Sequence, residues 1–203
     1  MYVSERQWDE RLKIVTAGLD ASRADVNHNA YEPTPYTVLK RLVESGYVQK
    51  ESRWVDYGCG KGRVGFFLNR HAGCHVTGVE YDPQIYALAE ENRKSYDRGG
   101  VVFVCANAEN FTVSDQDCFY FFNPFSVEIL RSVLAKILDS YYEEPRTMRL
   151  FFYYPDDEYV ACLMTGGAGT EMLDFVDEID CQDLFPGKDK RERILIFEIG
   201  ECN

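Results

Sequence analysis

The sequence has little positive charge for its length. Its 203 residues include 22 Lys and Arg against 34 Asp and Glu, which gives a net charge of −12. Proteins that bind long nucleic acids normally present a basic surface that neutralises phosphates. The densest basic stretch, 188–193, is interrupted by Asp189 and Glu192 and is typical of a solvated loop. The charge therefore argues against a nucleic-acid partner.

Patterns that bind metals are also missing from the sequence. The seven Cys include no C-x-x-C pair, and the three His include no H-E-x-x-H pattern. Zinc sites need such clusters, and scattered thiols are typical of a reducing compartment. We expect no metal site and no disulfide framework.

Long apolar runs are absent as well. No run approaches the ~20 residues needed to span a bilayer, and the N-terminus has no apolar signal core. We therefore expect a cytoplasmic protein without a membrane partner. The length suits a single domain with a core of good size.

From Arg53 onward, short apolar segments alternate with amphipathic ones. This alternation predicts a Rossmann-like, doubly wound α/β sheet with right-handed crossovers. Strands are predicted at 53–57, 75–80, 101–105, 118–122 and 149–154, and helices at 63–71, 83–96, 127–141 and 156–164. Two last strands, 171–179 and 194–199, have no convincing helix between them, so they predict an antiparallel hairpin at the edge of a seven-stranded sheet.

The first 50 residues differ from the rest. A helix is predicted over 5–15 with Trp8, Leu12 and Val15 on one face. A second helix is expected to run to Gly46, with Thr34 capping it and Pro35 in its first position. We divide the chain into an N-terminal helical segment, 1–50, and a Rossmann-like part, 51–203, of one structural domain.

The segment 54–65 carries the strongest functional signal. A short apolar strand runs into closely spaced glycines, and a helix follows. Glycines let the backbone approach a ligand closely, and a helix N-terminus offers N–H groups to a carboxylate or a phosphate. About 20 residues later, a strand ends in Glu80 and Tyr81; such an acid can accept hydrogen bonds from ribose hydroxyls, and Tyr81 can lie against an adenine.

Two cofactors compete for this loop. Residues 60–65 match the dinucleotide fingerprint G-x-G-x-x-G, which would indicate an NAD-binding oxidoreductase. In a dinucleotide site, however, the first Gly follows the strand directly, and here that residue is Gly58. Counted from Gly58, the third fingerprint position falls on Arg63, so the match is weakened.

The loop instead resembles the D-x-G-x-G-x-G motif of class I S-adenosylmethionine-dependent methyltransferases, as Asp56, Gly58, Gly60 and Gly62. The resemblance covers roughly 55–125, with a compatible C-terminal hairpin. It implies S-adenosylmethionine as the cofactor, and it implies an adenine contact after the third strand, where Asn107 stands in place of the usual Asp. The implied cofactor-binding residues are Asp56, Gly58, Cys59, Gly60, Glu80, Tyr81, Asn107 and Ala108.

The fourth strand ends in Asn123-Pro124-Phe125-Ser126, which partly resembles the Asn-Pro-Pro-Tyr motif of methyltransferases that act on nitrogen. The resemblance implies that Asn123 positions the acceptor as the catalytic residue and that Phe125 stacks on a flat or cationic group. The expected acceptor atom is nitrogen, or less readily oxygen, on a protein or a small molecule. The alternative is that Asn123-Pro124 only ends a strand and caps the next helix.

An aromatic turn precedes the first strand. By resemblance to methyltransferases of this general type, Tyr31, Thr34 and Tyr36 are expected to form a lid, and His28 is a further candidate base in this segment. The alternative is a helix entry with packed Tyr rings. Two other functions remain open at this point: an NAD-binding oxidoreductase and a non-catalytic binding protein with a methyltransferase-like fold.

Overall fold

A seven-stranded sheet forms the centre of the molecule. The computed structural model describes residues 3–17, 32–165 and 172–200. The strand order is β3-β2-β1-β4-β5-β7-β6, in which β1 to β5 are parallel and β7 is antiparallel to both β5 and β6. The strands are β1 (Arg53–Tyr57), β2 (His75–Glu80), β3 (Val101–Cys105), β4 (Cys118–Phe121), β5 (Met148–Tyr153), β6 (Asp174–Asp180) and β7 (Arg193–Ile199).

This sheet confirms the predicted Rossmann-like fold and its C-terminal antiparallel hairpin. The last strand, β7, lies between β5 and β6, so β6 is the edge strand. The helices are α1 (Glu5–Leu12), α2 (Tyr36–Glu44), α3 (Arg63–Ala72), α4 (Pro83–Ser95), α5 (Val127–Glu143) and α6 (Asp157–Met164), with 3-10 turns at Ala108–Asn110 and Gln182–Leu184.

Two hydrophobic cores lie on opposite faces of the sheet. Successive strand residues point to opposite faces, so Trp54 and Tyr120 enter the core that α1, α2 and α3 cover. Val55 and Phe119 enter the second core, which α5 and α6 cover. Strands that are buried on both faces explain the continuous apolar runs in the sequence.

Local capping defines the start of α4, which follows β2. The Asp82 side chain accepts hydrogen bonds from the backbone N–H groups of Gln84 and Ile85, and Pro83 occupies the first helical turn. Both features are favourable at a helix N-terminus. They end β2 sharply at Glu80 and fix the chain direction beyond it.

The N-terminal helices differ in detail from the prediction. Helix α1 ends at Leu12 because Lys13 adopts the left-handed conformation (φ 58°), and Val15 is therefore exposed rather than on the apolar face with Trp8. Helix α2 begins at Tyr36 with Pro35 as its N-cap and without a side-chain cap. The Thr34 hydroxyl instead lies 3.2 Å from the Tyr120 hydroxyl in the core.

Candidate functional site

The glycine loop, 58–62, follows β1 at the edge of the sheet where the carboxyl ends of the parallel strands β1 to β5 lie. Gly58, Gly60 and Gly62 all have positive φ, at 69°, 55° and 87°. The backbone N–H groups of Gly58 and Cys59 both donate to the Val79 carbonyl, at 2.9 and 3.0 Å. These bonds hold the loop against β2, at the point in a doubly wound sheet where ligands bind.

The loop leaves no room for larger residues at two of its glycines. A Cβ on Gly58 would lie 2.4 Å from Cβ of Pro124, and a Cβ on Gly62 would lie 2.4 Å from the ring of Phe103. The backbone therefore passes directly against the turn after β4 and against β3. Glycine is required here by both conformation and space.

Glu80, at the tip of β2, is joined to the glycine loop. Its carboxylate accepts hydrogen bonds from the backbone N–H groups of Gly60 and Asp82, both at 2.9 Å. Burial raises the pKa of Glu80 above its usual value, and the backbone N–H groups oppose this shift because they favour the carboxylate. The adjacent Tyr81 is 51% exposed.

Asp56 is a buried carboxyl group with an unsatisfied oxygen. It is 3% exposed, and its Oδ2 atom has no hydrogen-bond partner. Burial, together with the nearby charge of Glu80, raises the pKa of Asp56 well above its usual value. Asp56 also lies opposite Tyr120 in the β1–β4 pairing. A buried polar group without a partner is costly and calls for an explanation, and a ligand-binding role is one.

Cys59 is packed inside the loop. Its side chain is buried, and burial raises the pKa of the thiol well above its usual value. A Cβ on Gly78 would lie 2.7 Å from the Cys59 sulfur, so the thiol fills the space beside β2. The structure gives Cys59 the environment of a neutral, close-packed thiol.

Asn107 and Ala108 follow β3 at the same edge of the sheet as Glu80. The Asn107 side chain accepts a 3.0 Å hydrogen bond from the backbone N–H of Glu109 and so caps the short 3-10 turn. The Ala106 N–H donates to the Glu80 carbonyl at 2.9 Å, which ties this turn to the tip of β2. Asn107 is partly exposed and Ala108 is buried.

Asn123, which follows β4 and Phe122, bridges the chain segments that follow β4 and β5. It has φ 39°, and its Nδ2 donates to the Tyr154 carbonyl at 2.8 Å while its Oδ1 accepts from the Asp156 N–H at 3.3 Å. Asn tolerates the left-handed region better than other non-glycine residues. The amide group therefore fixes the turns after β4 and β5 relative to each other.

Pro124, Phe125, Thr34 and Tyr36 differ in their exposure. Pro124 is partly exposed and covers Gly58, whereas Phe125 is 4% exposed and packs against the rings of Tyr57 and Phe121. Thr34 and Tyr36 are also buried. Phe125 thus presents no open ring face for stacking, and Tyr36 belongs to the core instead of a surface that closes over a ligand.

Two of the candidate residues, Tyr31 and His28, lie outside the described residues. Sequence reasoning missed Arg63, a guanidinium that is 3% exposed at the start of α3. Its partners are 29 to 58 positions away in the chain, and nothing in the local sequence indicates them. It also missed the contact of Arg191 with the Tyr154 ring, 4.5 Å from the ring centroid, beside the end of β5.

Within residues 3–17, 32–165 and 172–200, no group of three or more His, Cys, Asp or Glu side chains could hold a metal ion. The helices of these same stretches are all too short or too polar to cross a membrane.

Comparison with known proteins agrees with this geometry. Residues 55–143 match the family model described as "Methyltransferase domain". No curated protein sequence matches the chain. The matched segment begins in β1, includes the glycine loop and Glu80, and ends with α5.

Solved structures share the fold at low sequence identity. An RNA methyltransferase from Salinibacter ruber in complex with S-adenosyl-L-homocysteine has a TM-score of 0.57 and 18% identity, over 85% of this chain and 96% of that one. A TehB-like SAM-dependent methyltransferase from Corynebacterium glutamicum has a TM-score of 0.57 and 18% identity, over 80% and 87%. The N-methyltransferase NodS from Bradyrhizobium japonicum has a TM-score of 0.56 and 19% identity, over 82% and 94%.

The family match assigns residues 55–143 to a methyltransferase domain, and the strand order and the glycine loop agree with it. The matched segment includes the dinucleotide-like fingerprint at 60–65, so the family match favours a methyltransferase over the oxidoreductase alternative.

Proposed function

We propose that the protein transfers a methyl group from S-adenosylmethionine to a nitrogen atom, or less readily an oxygen atom, of a protein or a small molecule. When bound, the cofactor supplies an electrophilic methyl group on a sulfonium. The protein's own contribution is to orient the acceptor, exclude water and, where needed, take up a proton. The residues proposed to hold the cofactor are Asp56, Gly58, Cys59, Gly60, Glu80, Tyr81, Asn107 and Ala108.

The residues present fit this cofactor. The positive φ angles of Gly58, Gly60 and Gly62 give the loop the tight backbone turn that a close ligand requires. Each oxygen of Glu80 accepts one backbone N–H, and a carboxylate oxygen has a second lone pair that can accept a ribose hydroxyl. The unsatisfied Oδ2 of the buried Asp56 carboxyl, on the neighbouring strand β1, is a further polar atom that a bound ligand would satisfy.

The observation that supports a nitrogen acceptor is the acidic turn beside Asn123. The first turn of α6 carries Asp157 and Glu158 after the N-cap Asp156, whose N–H donates to the Asn123 side chain. Carboxylates at this position attract an amine and repel the phosphates of a nucleic acid. The nearby cation Arg191 is itself paired with a carboxylate, because its guanidinium forms an ion pair with Asp189 at 3.3 Å.

Asn123 is the residue proposed to orient the acceptor. Its amide and the neighbouring backbone carbonyl are polar groups at the carboxyl end of β4, beside the topological switch point between β1 and β4. Pro124 keeps this turn stiff against the glycine loop. RNA is the competing acceptor class, because three structures with this fold are described as methyltransferases of RNA, tRNA and 23S rRNA, so the expectation that a nucleic-acid partner is unlikely is not supported.

A labelled-methyl assay tests the acceptor class. The protein is incubated with methyl-labelled S-adenosylmethionine and, separately, with the protein, RNA and small-molecule fractions of a cell extract. We expect label in the protein or small-molecule fraction, stable to mild base as N-methyl groups are, and none with Glu80→Ala protein. Label that appears only in RNA and is released by ribonuclease would overturn the proposed acceptor.

A further inference from the structure

A buried cation lies directly beside the glycine loop. Arg63 is the first residue of α3, one position after Gly62, and its side chain is 3% exposed. Its Nε donates to the Thr16 hydroxyl at 2.8 Å, and its Nη1 donates to the Thr34 carbonyl at 3.1 Å. Nη1 also forms an ion pair with Glu5.

The Arg63 guanidinium also stacks on an aromatic ring. Its central carbon lies 4.3 Å from the centroid of the Tyr36 ring, a cation–π arrangement. One side chain on α3 thus contacts α1, α2 and both stretches of chain that flank residues 18–31. We call residues 5–17 and 32–36 together the N-terminal arm.

Asp9 is a second centre of the same network. Its carboxylate accepts hydrogen bonds from the N–H and hydroxyl of Thr16, at 2.7 and 2.6 Å, and from the Ala17 N–H at 3.0 Å. It also accepts from the Tyr36 hydroxyl at 2.6 Å. Because Asp9 is 5% exposed and 4.0 Å from Arg63, the two opposite charges are buried together.

The arm reaches the glycine loop by a separate contact. The Asn92 side chain accepts from the Val15 N–H at 2.8 Å and donates to the Lys61 carbonyl at 3.0 Å. Residues 15–17 therefore lie next to the loop whose backbone is proposed to hold the cofactor. Arg63 and Asn92 approach the arm from α3 and α4 respectively.

We propose that Arg63 is a positioning residue, which together with Asp9 locks the N-terminal arm onto the glycine loop and thereby sets the affinity for S-adenosylmethionine. This inference rests on the proposed function, in which the glycine loop holds the cofactor. Arg63 is buried against protein groups and acts through the arm and the loop. A binding site that is already ordered spends less binding energy on ordering itself, so affinity is higher when the arm is locked.

Calorimetry with S-adenosylhomocysteine tests the inference on the full chain. Arg63→Met keeps the length of the side chain and removes its charge and donors. We expect the Kd of this variant to rise by roughly 10- to 100-fold, since several charge-assisted hydrogen bonds that order the arm are lost. In turnover assays, we expect the KM for S-adenosylmethionine to rise much more than kcat falls.

Arg146→Met is the matched control. Arg146 is partly buried, and it donates to the carbonyls of Gln116, Ser140 and Glu144, at the opposite end of β4 and β5 from the glycine loop. Its loss costs stability but changes no contact of the arm. We expect its Tm to fall as that of Arg63→Met does, while its Kd stays within twofold of wild type.

Thr16→Val keeps the test decisive if Arg63→Met fails to fold. It is nearly isosteric and removes only the hydroxyl that joins Arg63 to Asp9, and we expect a Kd at least threefold higher. A folded Thr16→Val or Arg63→Met protein with the wild-type Kd overturns the inference. If wild type binds no S-adenosylhomocysteine, or if Glu80→Ala leaves the Kd unchanged, the proposed cofactor site has failed instead.

Discussion

The backbone N–H of Gly60 donates a 2.9 Å hydrogen bond to the Glu80 carboxylate, which joins the glycine loop to the tip of the neighbouring strand. The other carboxylate oxygen accepts from the Asp82 N–H, at the start of α4. One side chain thus fixes the loop after β1 and the turn after β2. The two features that the sequence places about 20 residues apart form a single polar unit.

Loss of this carboxylate should abolish tight cofactor binding. We expect Glu80→Ala to raise the Kd for S-adenosylhomocysteine by about 100-fold or more, because charge-assisted hydrogen bonds contribute about 1.5–3 kcal/mol each. Isothermal titration calorimetry measures the change. Glu91→Ala, which removes an exposed carboxylate paired with Lys94 on α4, should bind normally. Equal affinities in the two variants would contradict the role of Glu80.

A methyl group at Gly58 should damage the loop more than the backbone angle alone explains. Gly58 and Gly46 both have positive φ, but only Gly58 faces a neighbour, Pro124, within 4 Å. We expect Gly46→Ala to lower the free energy of unfolding by about 1–2 kcal/mol and Gly58→Ala by about 2–5 kcal/mol. Urea unfolding of both variants tests this, and similar losses would mean that Pro124 moves aside easily.

The raised pKa of Asp56 should make the stability of the ligand-free protein depend on pH. Because the folded state holds this proton more tightly than the unfolded state, the contribution of Asp56 is complete below the usual carboxyl pKa and is lost as the pH rises through the raised pKa. Asp56→Asn stays neutral and lacks this loss. We therefore expect a higher Tm than wild type at pH 8 and a similar Tm near pH 4, measured by differential scanning calorimetry without cofactor. A Tm difference that does not change with pH would show that Asp56 is ionised in the folded protein.

Removal of the Tyr36 hydroxyl should destabilise the arm. Tyr36→Phe leaves the buried Asp9 carboxylate without its 2.6 Å donor, which costs about 1–3 kcal/mol. Tyr142→Phe, on a side chain that is 65% exposed, is the control and should change stability by less than about 0.5 kcal/mol. Denaturant titration of both proteins separates the two cases, and an unchanged midpoint for Tyr36→Phe would contradict the network.

Removal of the Asn123 amide should lower turnover without weakening cofactor binding. Asn123→Gly keeps a residue that tolerates φ 39° and deletes the bonds to Tyr154 and Asp156. We expect kcat to fall by about 100-fold, since a misplacement of about 1 Å at the acceptor costs that much. The Kd for S-adenosylhomocysteine should stay near the wild-type value. Normal turnover would leave Asn123 with only the structural role of ending β4.

Much of the fold could be predicted because its signals are local. The strand β1, the glycines and α3 are contiguous, and the cap at Asp82 with Pro83 marks the next helix in the same way. The start of α2 could not be predicted correctly. Thr is a residue type that is favoured at the N-cap of a helix. The Thr34 hydroxyl instead contacts Tyr120, which is 86 positions away and which no local pattern indicates.

The site residues also divide into those that a local pattern indicates and those that depend on distant contacts. Gly58, Gly60 and Glu80 are recognisable because their spacing follows from one β–loop–α–β unit. The burial of Phe125 depends on Tyr57 and Phe121, which come from two different strands. A pattern of residue types at the end of β4 cannot say which ring faces the core and which faces a ligand.

The sequence by itself determined that this chain is a doubly wound α/β protein with a glycine loop and an acid at the tip of β2, because hydrophobic periodicity and glycine conformation act within short segments. Only the tertiary structure decided that Asp9 and the partly exposed Glu5 form one network around the buried Arg63 guanidinium, and that β7 lies between β5 and β6. A buried charge is stable only when it is paired, and the tertiary structure decides which residues pair with it. Here a partner of Arg63 is 58 positions away in the sequence.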